Sequence, residues 1–287
     1  MKRFVKTTFL VALLASLAIV SAKYLPHASA KDLKPPLATS QTATTSRATT
    51  VQSLPTVVAD MNAAITADPD GLTTAATFID LDNGQQYNSG ATTTLFKAAS
   101  TAKVLAAVDY LHEVEQGQAT LSQDIDGTSA QQLMQQMIEV SDDQAWADLN
   151  DYLGDQQQSY ATSVGLSSFT GGEYNTMTAA DMAKLLAELY QGKLINSTDR
   201  SLLYTYMANT TSTNLIQAAL PSDATVYHKY GQLWGYLNDA AIVNYRGHHF
   251  ALVIFTNNGD GTTDEYNDQV TLIQSITQAA FKDITAS

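Results

Sequence analysis

No cysteine occurs among the 287 residues of the chain, and that absence removes several kinds of chemistry. Thiolate nucleophiles, cysteine-ligated zinc and iron–sulfur centres are excluded. Disulfides are excluded too, although an exported protein would be free to use them, so a packed core must hold the fold together. Charge is also scarce. Asp, Glu, Lys and Arg make up 15% of the chain, which leaves Thr, Ser, Gln and Asn to cover most of the surface. The charge that is present leans to one sign: the formal net charge is −13, which repels polyanions and argues against a nucleic-acid partner. No internal repeat is visible, and after the first thirty residues no hydrophobic stretch is long enough to cross a bilayer.

Those thirty residues read as an address. Lys2, Arg3 and Lys6 form a positive start, residues 9–20 are an apolar run, and Ala28-Ser29-Ala30 is a small-x-small cleavage signal, with an earlier option after Ala22. This is the pattern of a secretory signal peptide, with an uncleaved N-terminal anchor as the alternative. Either way the expected location is outside the cytoplasm, as a secreted protein or one associated with the membrane or the cell wall. Removing residues 1–30 takes away Lys2, Arg3, Lys6 and Lys23 and no acid, which moves the formal charge from −13 to −17. Residues 31–55 read as a linker: nine of the 25 are Ser or Thr, interrupted by Pro35, Pro36 and Pro55, and such a segment cannot offset its own ordering entropy. The folded domain is expected over 56–285. With 45% hydrophobic residues in the chain, a core of useful size can form.

Periodicity within that domain predicts a helix over 57–65 and a strand over 75–81. Asp82-Asn83-Gly84 follows as a hairpin turn, with Asn and Gly both at positive φ, and 85–88 is the return strand. A helix from Ser100 buries Val104, Leu105, Val108 and Leu111. Residues 129–153 are helical with a break over 139–142. Thr178 caps the next helix, Asp181 closes its capping box, and Gly192 ends it. A short helix is expected over 201–207. Strands are expected over 225–229, 237–245 and 250–256, with a turn at 245–248, and a final helix over 264–281. The order implies an α/β (α+β) fold: an antiparallel sheet assembled from both ends of the domain, packed by the terminal helices, with a helical region inserted between.

Three short stretches carry possible chemistry. Ser100-Thr101-Ala102-Lys103 places a hydroxyl and an amine nearly one helical turn apart. A serine hydroxyl needs a neighbouring base, and an amine serves only when neutral, a form favoured by the apolar Ala98, Ala99, Ala102 and Leu105. Ser141-Asp142-Asp143 offers a second hydroxyl at a helix junction. Lys229-Tyr230-Gly231 puts a cation and a backbone-exposing glycine at the end of a strand. Each stretch also has a plain reading: Ser100 as a cap with Lys103 in solvent, Ser141 as an N-cap with Asp142 and Asp143 on the first-turn N–H groups, and Lys229 as a solvated lysine.

Taken in order, with helices at the first two and a strand at the third, S-x-x-K, S-D-x and K-x-G resemble the class A beta-lactamase and penicillin-binding-protein superfamily. The flanks share the likeness: Phe96 four before the serine, the segment from Met177 to Ala183, and Ala218-Ala219-Leu220-Pro221 followed by Val226-Tyr227-His228-Lys229. The resemblance spans about residues 56–285. It implies a serine hydrolase of beta-lactamase or D-Ala-D-Ala carboxypeptidase type, with Ser100 as acylated nucleophile and Lys103 as its base or proton relay. Ser141 would pass a proton to the leaving nitrogen, and Lys229 would assist that path and attract a substrate carboxylate. The N–H groups of Ser100 and Gln232 would form the oxyanion hole, and Asp143, Tyr230 and Gly231 would meet the substrate. It implies acyl transfer from an amide or lactam to Ser100 and then hydrolysis, a beta-lactam or peptidoglycan-peptide-like substrate, a monomer, and neither cofactor nor metal.

The sequence departs from that pattern in three places. Asp143 stands where the family has Asn, Tyr230 replaces a Thr or Ser hydroxyl, and only 34 residues separate Asp143 from Thr178. That interval is short for the omega loop whose glutamate activates the deacylating water in class A enzymes, and Glu173 lies too near Thr178 to match it. A persistent acyl-enzyme, as in penicillin-binding proteins, is the expectation. A degenerate domain that binds a wall peptide or a surface protein is the alternative. Three other features are read as structural: Asn257-Asn258-Gly259-Asp260-Gly261 as a tight turn rather than a calcium loop, His248 and His249 as edge residues, and His228 as pointing away from the cleft.

Overall fold

The computed structural model describes residues 55–154, 156–172, 174–259 and 266–286. The expected signal segment and nearly all of the linker, Glu173, and the Asp260-Gly261 end of the glycine-rich turn lie outside the described residues. In chain order the elements are α1 (Pro55–Thr66), β1 (Thr73–Asp80), β2 (Gln85–Gly90), β3 (Phe96–Lys97), a 3-10 turn (Ala99–Ala102) and α2 (Lys103–Glu115). Then come β4 (Asp124–Ile125), β5 (Thr128–Ser129), α3 (Ala130–Glu139), α4 (Asp143–Leu153), α5 (Gln157–Ser163), β6 (Thr176–Met177), α6 (Ala179–Tyr190) and α7 (Ser197–Ala208). A second 3-10 turn (Gln217–Ala219), β7 (Thr225–Leu233), β8 (Tyr236–Tyr245), β9 (His248–Asn257) and α8 (Tyr266–Ala286) complete it.

The main sheet is antiparallel, in the order β2-β1-β9-β8-β7. Strands from the two ends of the domain meet at β1 and β9, and the helical block lies between them in sequence. Both faces are covered. Phe78, Ala241, Val243, Leu252 and Ile254 pack with Val57 and Met61 of α1 and Ile273 and Ile276 of α8. Their neighbours Ile79, Ala240, Ile242, Ala251 and Val253 belong to the other core, with Leu105 of α2 and Leu186 of α6. This explains why 240–243 and 250–255 read as continuous apolar runs instead of alternating ones. Phe281 sets its ring edge-on against Phe78 and Phe250, at centroid distances of 5.6 and 5.4 Å. Burying a side chain of that size stabilises the docking of α8 by about 1.5–3 kcal/mol.

Local chemistry departs from the sequence expectation in several places. The β1–β2 connection is a four-residue loop, because Asp80 pairs with Gln85. Gly84 alone takes a positive φ there, and Asn83 acts through its side chain, which donates to Asp80 Oδ2 and accepts from Gln85 N. Thr178 does cap α6, accepting from Asp181 N at 3.1 Å. The box is not closed by Asp181, whose carboxylate is taken by Ser168; Ser168 Oγ in turn accepts from Thr178 N. The α7 helix starts four residues earlier than its apolar pattern suggests, because Asn196 caps it through the N–H groups of Thr198 and Asp199. The α5 helix has a polar sequence and no apolar period long enough to announce it. The β7 strand runs on through Leu233, past the end expected at Lys229.

Candidate active site

Ser100 lies within the 3-10 turn that leads into α2. The turn is braced by Thr101, whose hydroxyl donates to Ala98 O at 2.7 Å, so the Ser100 hydroxyl is not used as a cap. Ala99, just before it, has φ +50°, a left-handed conformation that a residue with a Cβ rarely adopts. Backbone pairing and a buried side chain hold the segment in place. The β3–β6 ladder pairs Phe96 with Met177, and Ala98 N donates to Asn175 O at 2.7 Å. From the sheet, fully buried Asn238 on β8 donates from Nδ2 to Lys97 O at 2.8 Å and to Ala98 O at 3.3 Å. Sequence reasoning missed Asn238. The available signal was a pair of polar residues, Asn238 and Asp239, followed in the strand by four apolar ones.

The second stretch sits opposite. Asp142, not Ser141, is the N-cap of α4, accepting from Ala145 N at 2.9 Å. Ser141 precedes it with φ +60° and lines the cleft beside Ser100. Lys103 joins the two stretches. Its ammonium donates to Ser141 O at 2.7 Å, reaches Ser141 Oγ at 3.5 Å, and pairs with Asp143 Oδ1 at 2.5 Å. Lys103 is 3% exposed and Asp143 89% exposed, so the pair spans the boundary between protein and solvent. The plain reading of Lys103 as a solvated lysine is overturned.

The third stretch closes the cleft. Gly231 on β7 passes so close to the 3-10 turn that a Cβ there would lie 2.7 Å from Ala98 O and 2.8 Å from both Ser100 N and Thr101 N. The missing side chain lets β7 pass against the backbone of Ser100, beside its expected role of bringing backbone close to a ligand. Gln232 and Leu233, next on the strand, line the same cavity as Ser100, Lys103 and Asp143, a space of about 330 Å³. Ala99, Trp146, Tyr174 and Asn175 complete that lining, and none of the four is among the site residues expected from the sequence. Tyr230 and Trp234 line the adjoining outer part with Ser100 and Ser141.

Lys229 differs from its expectation. Not a solvated lysine, it is fully buried, donating to Tyr230 O at 3.2 Å with its Nζ 4.3 Å from the Tyr230 ring centroid. Burial, and after it the Lys103 charge, push its amine down to about 7, with Asp239 and Asp143 opposing. Lys103 is also lowered by burial, while its hydrogen bond to Asp143 and the charges of Asp143 and Asp142 pull it back up. His228 does point elsewhere: it is fully buried against Asp239, at 3.0 Å, and Gln217, at 3.1 Å. His248 and His249 both meet Asp82 at the hairpin edge. Among the described residues no cluster of His, Cys, Asp or Glu could hold a metal ion.

The cleft therefore gathers two hydroxyls, a buried amine and a tightly packed strand edge around one serine. The sequence profile of the beta-lactamase enzyme family matches residues 56–284. The chain belongs to that family. A curated relative, beta-lactamase CTX-M-8 of Citrobacter amalonaticus, is 28% identical over 184 residues, which cover 52% of this chain and 63% of the relative. Among solved structures, PBP-A superimposes with a TM-score of 0.74 at 21% identity, over 82% of this chain and 97% of that one. An ancestral class A beta-lactamase superimposes at 0.73 and 20% identity, over 79% and 99%. A beta-lactamase of Xanthomonas campestris does so at 0.72 and 20%, over 80% and 97%. The mixed fold, an antiparallel sheet flanked by helices, is thus the beta-lactamase and penicillin-binding architecture.

Within this family the Asp143–Lys103 pair gives the departure from Asn a physical meaning. The carboxylate stabilises the charged form of Lys103, and a charged amine cannot accept a proton. Asp143→Asn removes the influences that raise the Lys103 pKa most directly and leaves burial to lower it. The neutral fraction of Lys103 at any given pH then increases, so the acid limb of the rate of reaction with a penicillin is expected to move to lower pH. Rates of adduct formation measured across the neutral range in both proteins check this; identical limbs would show that Asp143 does not set the charge of Lys103.

Proposed function

We propose that this chain is an exported serine hydrolase that is acylated at Ser100 by beta-lactam or amide substrates and releases the acyl group slowly. The observation that carries this reading is the buried Lys103 amine, held within 3.5 Å of the Ser141 hydroxyl in the cleft that Ser100 lines. Lys103 in its neutral form takes the Ser100 proton as the hydroxyl adds to the carbonyl carbon. Ser141 returns a proton to the departing nitrogen, and the N–H groups of Ser100 and Gln232 receive the developing negative charge. Lys229 acts through its field. No step calls for a metal or cofactor.

Slow release follows from the lining of the cleft. Asp143 is the one carboxylate among the described residues that line it, and it is committed to Lys103. Under this reading the described lining offers a deacylating water no carboxylate other than the one paired with Lys103. One of the similar solved structures, a point mutant of PBP-A, is described as an acyl-enzyme complex with penicillin G, at a TM-score of 0.73 and 22% identity. The basic start, apolar run and Ala28-Ser29-Ala30 support export, and a Ser/Thr-rich linker suits a domain spaced from a membrane or wall. A second reading draws on the same ion pair. If Asp143 keeps Lys103 charged at every working pH, the domain is a binding module for a wall peptide or surface protein.

Incubation of the purified protein with a labelled penicillin, followed by intact mass and peptide mapping, tests the proposal. A single long-lived adduct on the peptide holding Ser100 is expected. Fast turnover without an adduct would overturn slow release. The absence of both adduct and turnover across the pH range would leave the binding-module reading in its place.

A further inference from the structure

The side of the cleft that receives the leaving group is apolar and short of positive charge. Ser141, which returns a proton to the departing atom, lines the outer part of the cleft, a space of about 350 Å³. Val140, Tyr230, Leu233, Trp234 and Tyr266 border the same space. Val140 and Trp234 are 53% and 46% exposed, and they are two of the four large hydrophobic side chains exposed among the described residues. Asp143 is the one charged residue among the described ones lining this part, and its carboxylate is 89% exposed.

The cations of the domain can all be accounted for. From Pro55 onward the chain has eight Lys and Arg against 27 Asp and Glu, and all eight are among the described residues. Lys103 alone lines the cleft, and it is paired with Asp143. Lys229 lies behind Tyr230, bonded to its carbonyl and facing its ring, and an amine pushed down to about 7 carries only part of a charge at neutral pH. Lys97 lines a different space, with its ammonium over the rings of Tyr174 and Trp234 at 4.3 and 4.8 Å. None of the other five lines the cleft. Lys184 meets Val164 O and Glu188, Arg200 meets Tyr190 O, and Lys282 meets Asp60. Arg246 is in the β8–β9 turn and Lys193 follows the end of α6. A carboxylate on the leaving group would meet Asp143 with no free cation to offset it. An uncharged apolar group would instead cover Val140 and Trp234.

We propose that the leaving side of this cleft selects apolar groups without negative charge, so that the substrate class is an ester or amide with an uncharged apolar leaving group and not one ending in a free carboxylate. The inference rests on the serine hydrolase reading, and the test separates the two. Phenyl phenaceturate and 3-carboxyphenyl phenaceturate share one acyl group and release phenols of similar acidity. With either ester, Ser100 Oγ bonds the carbonyl carbon, the bond from that carbon to the phenoxy oxygen breaks, and the phenol leaves with the proton that Ser100 gave up.

Release of phenol gives the second-order rate constant of acylation for each ester, divided by that ester's own rate of alkaline hydrolysis, with Ser100→Ala as background. The uncharged ester is expected to react about tenfold faster. Added salt should narrow that ratio, because the Asp143 carboxylate is exposed and its repulsion is screened. Val140→Lys, which places a cation on the rim, should narrow it too. A ratio near one, a preference for the carboxylate, or a ratio that neither salt nor Val140→Lys alters would overturn the inference. So would a penicillin adduct on Ser100 in a protein that phenyl phenaceturate fails to acylate. If neither ester nor penicillin acylates Ser100, the serine hydrolase reading falls instead.

Discussion

Lys103→Met is expected to slow formation of the penicillin adduct on Ser100 by about 10²–10⁴-fold at neutral pH, the range in which a positioned acid or base contributes. Methionine is of similar length and apolar, and the surroundings of Lys103 are already dry. Its partner Asp143 is 89% exposed, so the carboxylate left behind returns to water at little cost. The fold should therefore survive, and thermal unfolding should show a midpoint no lower than that of the starting protein. The pH profile carries the sharper information. In the unsubstituted protein the rate should climb as the Lys103 ammonium gives up its proton, and in Lys103→Met that limb should vanish. A rate within a few-fold of the original, with the limb intact, would move the role of base away from Lys103. Lys229, the other buried amine at the site, would be the next residue to substitute.

Gly231→Ala should be comparably damaging for a different reason. The added Cβ would lie within 2.8 Å of Ala98 O, Ser100 N and Thr101 N, and all three are backbone atoms that no side-chain rotation can move aside. Strand β7 and the turn carrying Ser100 must separate. That pulls Gln232 away from Ser100, the two residues whose N–H groups are assigned to the developing oxyanion. A misplacement of about 1 Å costs on the order of 10² in rate, and the overpacking itself destabilises by about 1–3 kcal/mol. The expected result is a folded protein with a lowered midpoint and adduct formation reduced by about 10²-fold or more. An alanine variant that reacts at the original rate would show that the strand does not define the oxyanion site.

Asp142 and Asp143 illustrate why local pattern alone could not resolve the site. As sequence, Ser141-Asp142-Asp143 is equally good as a helix cap or as a catalytic triplet, because Ser and Asp serve both purposes. The fold divides the labour: Asp142 caps α4, Ser141 takes a left-handed conformation and lines the cleft, and Asp143 reaches Lys103, forty residues away. The capping box at Thr178 failed for a related reason. Asp181 had a competitor, Ser168, that only tertiary contact brings near.

Much was settled before any coordinate. The alternation of helical and strand-like periods specified a sheet built from both ends of the domain with an inserted helical block, and three motifs in a particular order pointed to an amine-activated serine. These features are legible because they depend on neighbours one or two turns apart, or on composition. What the tertiary structure decided depends on residues far apart in the chain. The close pass of Gly231 over the Ser100 backbone is one such contact, and the anchoring of that segment by Asn238 is another. The full burial of Lys229 and the Asp143–Lys103 pair belong with them. Each is a consequence of β7, β8 and α4 being packed around one turn, and no periodicity encodes the distance between segments that the chain visits so far apart in sequence.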